Sequence, residues 1–187
     1  MVENGKPLEI YTIGHGNSAS EVIIDLLHKH HIKTLVDVRS VPFSQYMPFF
    51  NQGVFKNSLE QAGIHYVFEG EALGGRPNDD TCYKTSEVPD PKTKRAKFLK
   101  LVDYEEVAKR SWYQEGIARL IKLAGEGRIA ILCSEEDPKR CHRSHLIAQT
   151  LVKMGIIVKH IRRDDNPSSD LEEEALKETQ PRQLSLF

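Results

Sequence analysis

The stretch RIAILCSEEDPKRCHRSHLIAQTLVKMG, Arg128 to Gly155, reads as a strand, a tight turn and a helix. The apolar run RIAIL has the length of a buried strand. Asp137 followed by Pro138 makes an N-cap and first-turn pair, and Gly155 falls just past a helix predicted over Pro138 to Met154. Cys133 and Cys141, two of only three cysteines, flank the turn. Loops between strand ends and helix starts are where α/β proteins keep their chemistry. The turn therefore holds a reactive thiol, a metal site or simply a well-packed corner.

The same alternation continues on both sides. Upstream, LEIYTIG (Leu8 to Gly14), KTLVDVRSVP (closed by Pro42) and IHYVFEG read as strands. Helices are predicted for SASEVIIDLLHKHHI, capped by Ser18 or Ser20, for NQGVFKNSLEQAG, and for YEEVAKRSWYQEGIARLIKLAGEG as one long element. Downstream, IIVKHI supplies a fifth strand. Strand and helix in this rhythm imply a three-layer α/β/α fold around a mostly parallel sheet of about five strands. One α/β domain over residues 1–162 is expected, with a charged tail over 163–187.

Composition narrows the class. The 187 residues are 39% hydrophobic and 28% charged, with a net charge of −1, which fits an ordinary globular protein. Such a balance provides no global positive field for nucleic acid, so any such contact needs a local patch. An odd number of cysteines without framework spacing predicts free thiols in a reducing compartment. No secretory signal or membrane-span pattern is visible, and a cytoplasmic location is expected. Residues Pro77 to Lys100 are polar and carry Lys92, Lys94, Arg95, Lys97 and Lys100. They read as a solvated basic insertion loop, or more sharply as a phosphate-facing lid.

A parallel sheet gathers its strand ends on one edge. That edge receives Gly14, His15 and Gly16, then Asp37 and Arg39, then Glu69 and Glu71 with Gly74, Gly75 and Arg76 beyond, and finally Cys133 to Arg143. Cys133 faces the start of a helix, where unpaired N–H groups favour a thiolate; Arg140, His142 and Arg143 act the same way, against Glu135, Glu136 and Asp137. The alternative for Cys133 is a buried, inert thiol. Cys141 shares a helical stripe with His145 and Ala148, which predicts core packing for its sulfur. A metal set of Cys133, Cys141, His142 and His145 matches no common zinc spacing, and adjacent cysteine and histidine on one helix point apart, so neither metal nor cofactor is expected. A phosphatase loop is disfavoured because Lys139 stands where that loop needs arginine.

With these pieces assembled, the chain resembles the domain of unknown function family 488. The matching blocks are TIGHGN (Thr12 to Asn17), LVDVRSVP (Leu35 to Pro42), PFFN (Pro48 to Asn51), ALGGRP (Ala72 to Pro77) and CSEEDPKRCHRSHLIA (Cys133 to Ala148). The family's first block usually reads Gly-His-Ser, and Gly16 departs from it. The resemblance implies a three-layer α/β fold and an edge site of His15, Asp37, Arg39, Arg76, Cys133, Cys141, His142 and Arg143; it implies no reaction. LVDVR is also similar to an early strand of rhodaneses. At the other end QLSLF, Gln183, Leu184, Ser185, Leu186 and Phe187, looks like the pentapeptide with which bacterial polymerases and repair proteins bind the β sliding clamp.

The leading expectation is an enzyme of DNA metabolism or repair, brought to a nucleotide or damaged DNA by the clamp. Cys133 is its nucleophile, His15 or His142 its acid and base, and Asp37 an orienting carboxylate. Arg39, Arg76 and Arg143 contact the anion, beside Gly74, Gly75 and Cys141. The competing expectations are a non-catalytic module that binds a nucleotide or DNA end, and a rhodanese-like sulfurtransferase.

Overall fold

The computed structural model describes residues 2–3, 6–85, 88–90, 95–163 and 171–173. Its main sheet contains β1 Glu9–Gly14, β2 Thr34–Asp37, β3 His65–Phe68, β4 Ile129–Cys133, β5 Ile157–Ile161 and β6 Leu171–Glu173. The order across the sheet is β3-β2-β4-β1-β5-β6. The first five strands pair in parallel, and β6 adds an antiparallel edge, with Lys159 opposite Glu173 and Ile161 opposite Leu171.

Every side chain of β4 is buried, because both sheet faces are covered. Successive residues point to opposite faces. Tyr11, Ile13, Leu35, Ala130 and Leu132 face α1 (Ser20–Lys29) and α2 (Gln52–Gln61), which contribute Ile23, Leu27, Phe55 and Leu59. Ile10, Val36, Ile129, Ile131 and Val158 face the other layer. That layer includes α3 (Gly70–Leu73), α4 (Arg95–Leu101), α5 (Tyr104–Lys109), α6 (Ser111–Glu126) and α7 (143–153). Helix α7 opens as a π-helix at Arg143–Ala148 and continues as an α-helix at Gln149–Lys153. This is the three-layer α/β architecture that the alternation predicts.

Four local expectations need correction. The long helix is broken at Arg110, whose backbone is extended (ψ 138°), while Asp103 caps α5 by accepting from the amides of Glu105 and Glu106. Arg110 ion-pairs with Asp79 at 3.3 Å, an anchor outside the helix that no periodicity announces. Helix α1 begins after Ala19 with no side-chain cap; Ser18 instead accepts from Arg163, and Ser20 donates to Glu21. The 77–100 segment is not wholly solvated: Cys82, Tyr83 and Phe98 are buried in the core, and Tyr83 pairs with Val102. Lys92 and Lys94 lie outside the described residues, as do Gln183 to Phe187.

The fourth correction concerns the helix predicted from Pro138. Asp137 does cap there, accepting from the Lys139 amide at 3.0 Å, but the turn it starts is a 3₁₀ turn of only Pro138–Arg140. Cys141 is extended (φ −135°, ψ 146°), and helical backbone resumes at His142. Among the described residues no helix is long and apolar enough to cross a membrane.

Candidate active site

The connections from β2 and β4, which lie side by side, leave in opposite directions. Strand β2 leads outward to β3 through α2 on one face, whereas β4 leads to β5 through α7 on the other. Loops that diverge in this way leave a crevice at the carboxyl edge. A cleft of about 650 Å³ opens there, between Arg39–Val41 after β2 and Cys133–Glu135 after β4.

Backbone contacts hold the β4 loop in place. The amides of His15 and Gly16 donate to the carbonyls of Cys133 and Ser134 at 3.1 and 2.9 Å, extending the β1 ladder past the strand end. Gly14 is required for this approach, since a Cβ there would lie 1.8 Å from the Glu135 carbonyl oxygen. From behind, the fully buried Arg143 guanidinium donates to the carbonyls of Glu135 and Glu136. Arg143 therefore shapes the loop and is not on the cleft wall.

Cys133, Cys141 and His142 form the floor. His142 Nδ1 lies 3.7 Å from the Cys133 sulfur and 3.7 Å from the Cys141 sulfur. The backbone amide of Arg143 reaches the Cys141 sulfur at 3.5 Å. All three side chains are buried, at 6%, 2% and 7% exposure. The predicted divergence of Cys141 from His142 does not occur, because the extended backbone at Cys141 turns its side chain toward Cys133 instead of onto the helical stripe. His142 Nε2 is buried and meets no hydrogen-bond partner among the described residues. The His142 ring packs on Gly75, where a Cβ would come within 2.7 Å of Cγ and Nδ1.

This arrangement separates the two thiols. The hydrogen bond from Cys141, followed by the charges of His142 and Arg143, holds the Cys133 thiol well below its ordinary range despite burial. Burial first, and then the hydrogen bond to Cys133, push the Cys141 thiol well above that range. Tyr104, also on the cleft wall, is kept protonated mainly by burial, with the charges of Cys141 and Cys133 adding to it.

Above this floor the walls are cationic and apolar. Arg39, Arg76, Lys100, Lys139 and Arg140 line them against a single carboxylate among the described residues, Glu135. The Arg76 guanidinium lies 4.3 Å from the centre of the Phe98 ring, and Phe43 stands 62% exposed at the mouth. Phe98 and Lys100 show that the 77–100 segment contributes a wall of the cleft. Asp37 is set behind Arg39, holding it through Nε at 2.9 Å and Nη2 at 2.6 Å, and Tyr66 donates to the same carboxylate at 2.8 Å. Burial, then the Asp37 charge, raises the Tyr66 hydroxyl far above its usual range.

The structure thus brings Cys133, Cys141, His142, Arg39, Arg76 and Gly75 together. Asp37 is a positioning carboxylate, and Gly74 packs on Ser40, which accepts from the Arg76 amide at 3.0 Å. His15 does not reach the cleft wall: its ring stacks on Phe50 at 4.1 Å, and Nδ1 lies 2.9 Å from the Gly16 carbonyl. Sequence reasoning missed Tyr66, Tyr104, Ser40 and Phe43. The apolar Phe43, just past the proline that closes the predicted strand, is the available signal for a ligand-facing loop; Val41 falls within that predicted strand, which in fact ends at Asp37.

The fold and site define a three-layer α/β protein with a thiol and imidazole cluster beneath a cationic cleft at the carboxyl edge of its sheet. The family model described as Domain of unknown function DUF488 matches residues 19–150, and the chain belongs to that family. Comparison with curated proteins and with solved structures gave no match.

Proposed function

We propose that the protein is an enzyme of DNA metabolism or repair that acts on a nucleotide or on damaged DNA, with Cys133 as nucleophile. The observation that carries this reading is the position of the Cys133 sulfur, at a strand end beneath a cleft whose walls combine four unburied cations with aromatic rings. Cations suit phosphates, and the exposed Phe43 ring suits the face of a base. His142 Nδ1 takes the Cys133 proton, the sulfur forms a bond to an electrophilic carbon, and the leaving group departs with that proton. Arg39 is held for the anion by Asp37, and Arg76 by Ser40 and Phe98.

Incubation with single-stranded and lesion-bearing oligonucleotides and with free nucleotides, followed by intact-protein mass spectrometry, tests this. An adduct or turnover abolished by Cys133→Ala supports it; turnover that survives the substitution overturns it. Recruitment by the sliding clamp is the second part of the proposal, carried by Gln183 to Phe187. Micromolar binding to a purified bacterial clamp, lost on deleting those five residues, is the expected result, and equal binding by the deleted protein refutes it. The burial of Cys133 at 6% exposure favours one other reading, a module that binds a nucleotide in the cleft without chemistry. Ligand binding with no turnover and an unreactive Cys133 would select it.

A further inference from the structure

The three floor residues have a second chemical character besides that of a nucleophile and its base. Two sulfurs and one imidazole nitrogen, all within 4.8 Å of one another, are a soft donor set. From these distances we infer that Cys133, Cys141 and His142 bind a thiophilic divalent ion, Zn²⁺, and that the bound ion masks the Cys133 sulfur. This inference rests on the same cluster as the proposed thiol chemistry and assigns it a resting or inhibited state.

Ligand spacing is the first argument. Tetrahedral zinc, with bonds of about 2.3 Å to sulfur and about 2.0 Å to nitrogen, sets its sulfur and nitrogen ligands about 3.6 Å apart. Both sulfurs already lie 3.7 Å from His142 Nδ1. An ion therefore needs little movement from either pair. The backbone explains why residues adjacent in sequence can converge: Cys141 is extended and His142 is helical, so their side chains do not splay as they would on one continuous helix.

The second argument is the ring itself. When Nδ1 binds the ion, Nε2 carries the ring proton; among the described residues that buried N–H meets no acceptor, so the ring is held by packing and not by an outer-shell hydrogen bond. Gly75 and the buried surroundings keep the ring between the sulfurs. Charge is balanced as well, since two thiolates and a neutral imidazole neutralise a divalent cation. The protons shared among the thiols and the ring leave to solvent as the ion enters. All three residues line the cleft, so solvent or a small ligand from the cleft can complete the four-coordination that three protein ligands leave open. Ligation withdraws charge from the Cys133 thiolate and covers one side of its sulfur, so the bound ion lowers its reactivity.

The test uses full-length protein stripped with a chelator and titrated with Co²⁺ as a spectroscopic probe, alongside iodoacetamide labelling of Cys133 with and without Zn²⁺. The expected result is one Co²⁺ per chain, with tetrahedral d–d bands and a thiolate charge-transfer band. Cys141→Ser and, separately, His142→Asn should weaken Zn²⁺ binding by more than about a hundredfold, beyond the roughly 10–100-fold that loss of an outer-shell partner typically costs. Cys82→Ser, at the remaining thiol, should leave the bands unchanged. Zn²⁺ should block labelling of Cys133, and chelator should restore it. Absence of thiolate-to-cobalt bands in folded wild-type protein overturns the ion site, and if Cys133 still labels, the thiol reading survives alone. Ion binding by a protein whose stripped Cys133 never labels leaves the ion site standing and removes the nucleophile.

Discussion

Replacing Gly75 by alanine should disturb the cluster without deleting any of its atoms. Gly75 is not among the glycines with positive φ, so alanine meets no backbone penalty there. The added methyl would meet His142 Cγ and Nδ1 at 2.7 Å and its Cβ at 3.0 Å, where ordinary contact begins at 3.4 Å. The ring, or the loop carrying residue 75, must yield by about 0.7 Å. A crowded, buried contact of this kind costs about 1–3 kcal/mol of stability. There is a functional effect as well, because Nδ1 must shift relative to the two sulfurs that it now meets at 3.7 Å. Since a misplacement of about 1 Å can cost about a hundredfold in rate, we expect Cys133 alkylation to slow by roughly tenfold or more. Timed iodoacetamide labelling read by peptide mass measures this, with thermal melting as the check on folding. Gly53→Ala is the control: no atom lies within 4 Å of its added carbon, and it sits on helix α2. Folded Gly75→Ala protein that labels at the wild-type rate would refute the idea that the ring's position governs the sulfur.

Asp37→Asn should destabilise the protein by about 3–5 kcal/mol in urea unfolding, because it leaves the Arg39 charge buried without its partner. Tyr66→Phe removes only one of the bonds to that carboxylate and should cost about 1 kcal/mol; an equal loss in both variants would contradict the ion-pair account. Gly14→Ala places a carbon 1.8 Å from the Glu135 carbonyl, so the melting temperature should fall sharply, and an unchanged melt would mean that the β4 loop is not pinned there. Charge reversal at Lys100 and Arg140 should weaken binding of a single-stranded oligonucleotide, measured by fluorescence anisotropy. It should also flatten the salt dependence by about 0.7 in log–log slope for each phosphate that is no longer neutralised. An unaltered slope would place nucleic acid elsewhere.

The five parallel strands and their covering helices were legible because each strand reports its own environment. In Ile129–Cys133 every residue is buried, and an unbroken apolar run is what two covered faces require. Strand ends then follow from topology, which is how Asp37, Arg39 and Cys133 were found. The positions of Cys141 and His142 were not legible, because they depend on one extended residue between a short 3₁₀ turn and helix α7. A helix with a capping residue and a glycine stop looks continuous in sequence whether or not it opens at one position. Arg110 interrupts its helix for a similar reason: its ion pair with Asp79 spans 31 residues and leaves no local trace. His15 and Arg143 have the residue types of a site and lie in its motifs, yet one stacks on Phe50 and the other ties down carbonyls. Motif membership did not separate side chains that face the ligand from those that build its container.

Strand β6 determines which flank of the molecule the final residues start from. Because it runs antiparallel to β5, the chain at Glu173 is heading away from the edge that carries the cleft. It also lies three strands across from β4, about 14 Å along the sheet. The fourteen residues that follow can reach at most about 50 Å from that flank. A ring-shaped partner gripping Gln183 to Phe187 would thus hold the body by its side, like a tool on a short lanyard. The cleft would remain free to sweep along whatever strand passes through the ring.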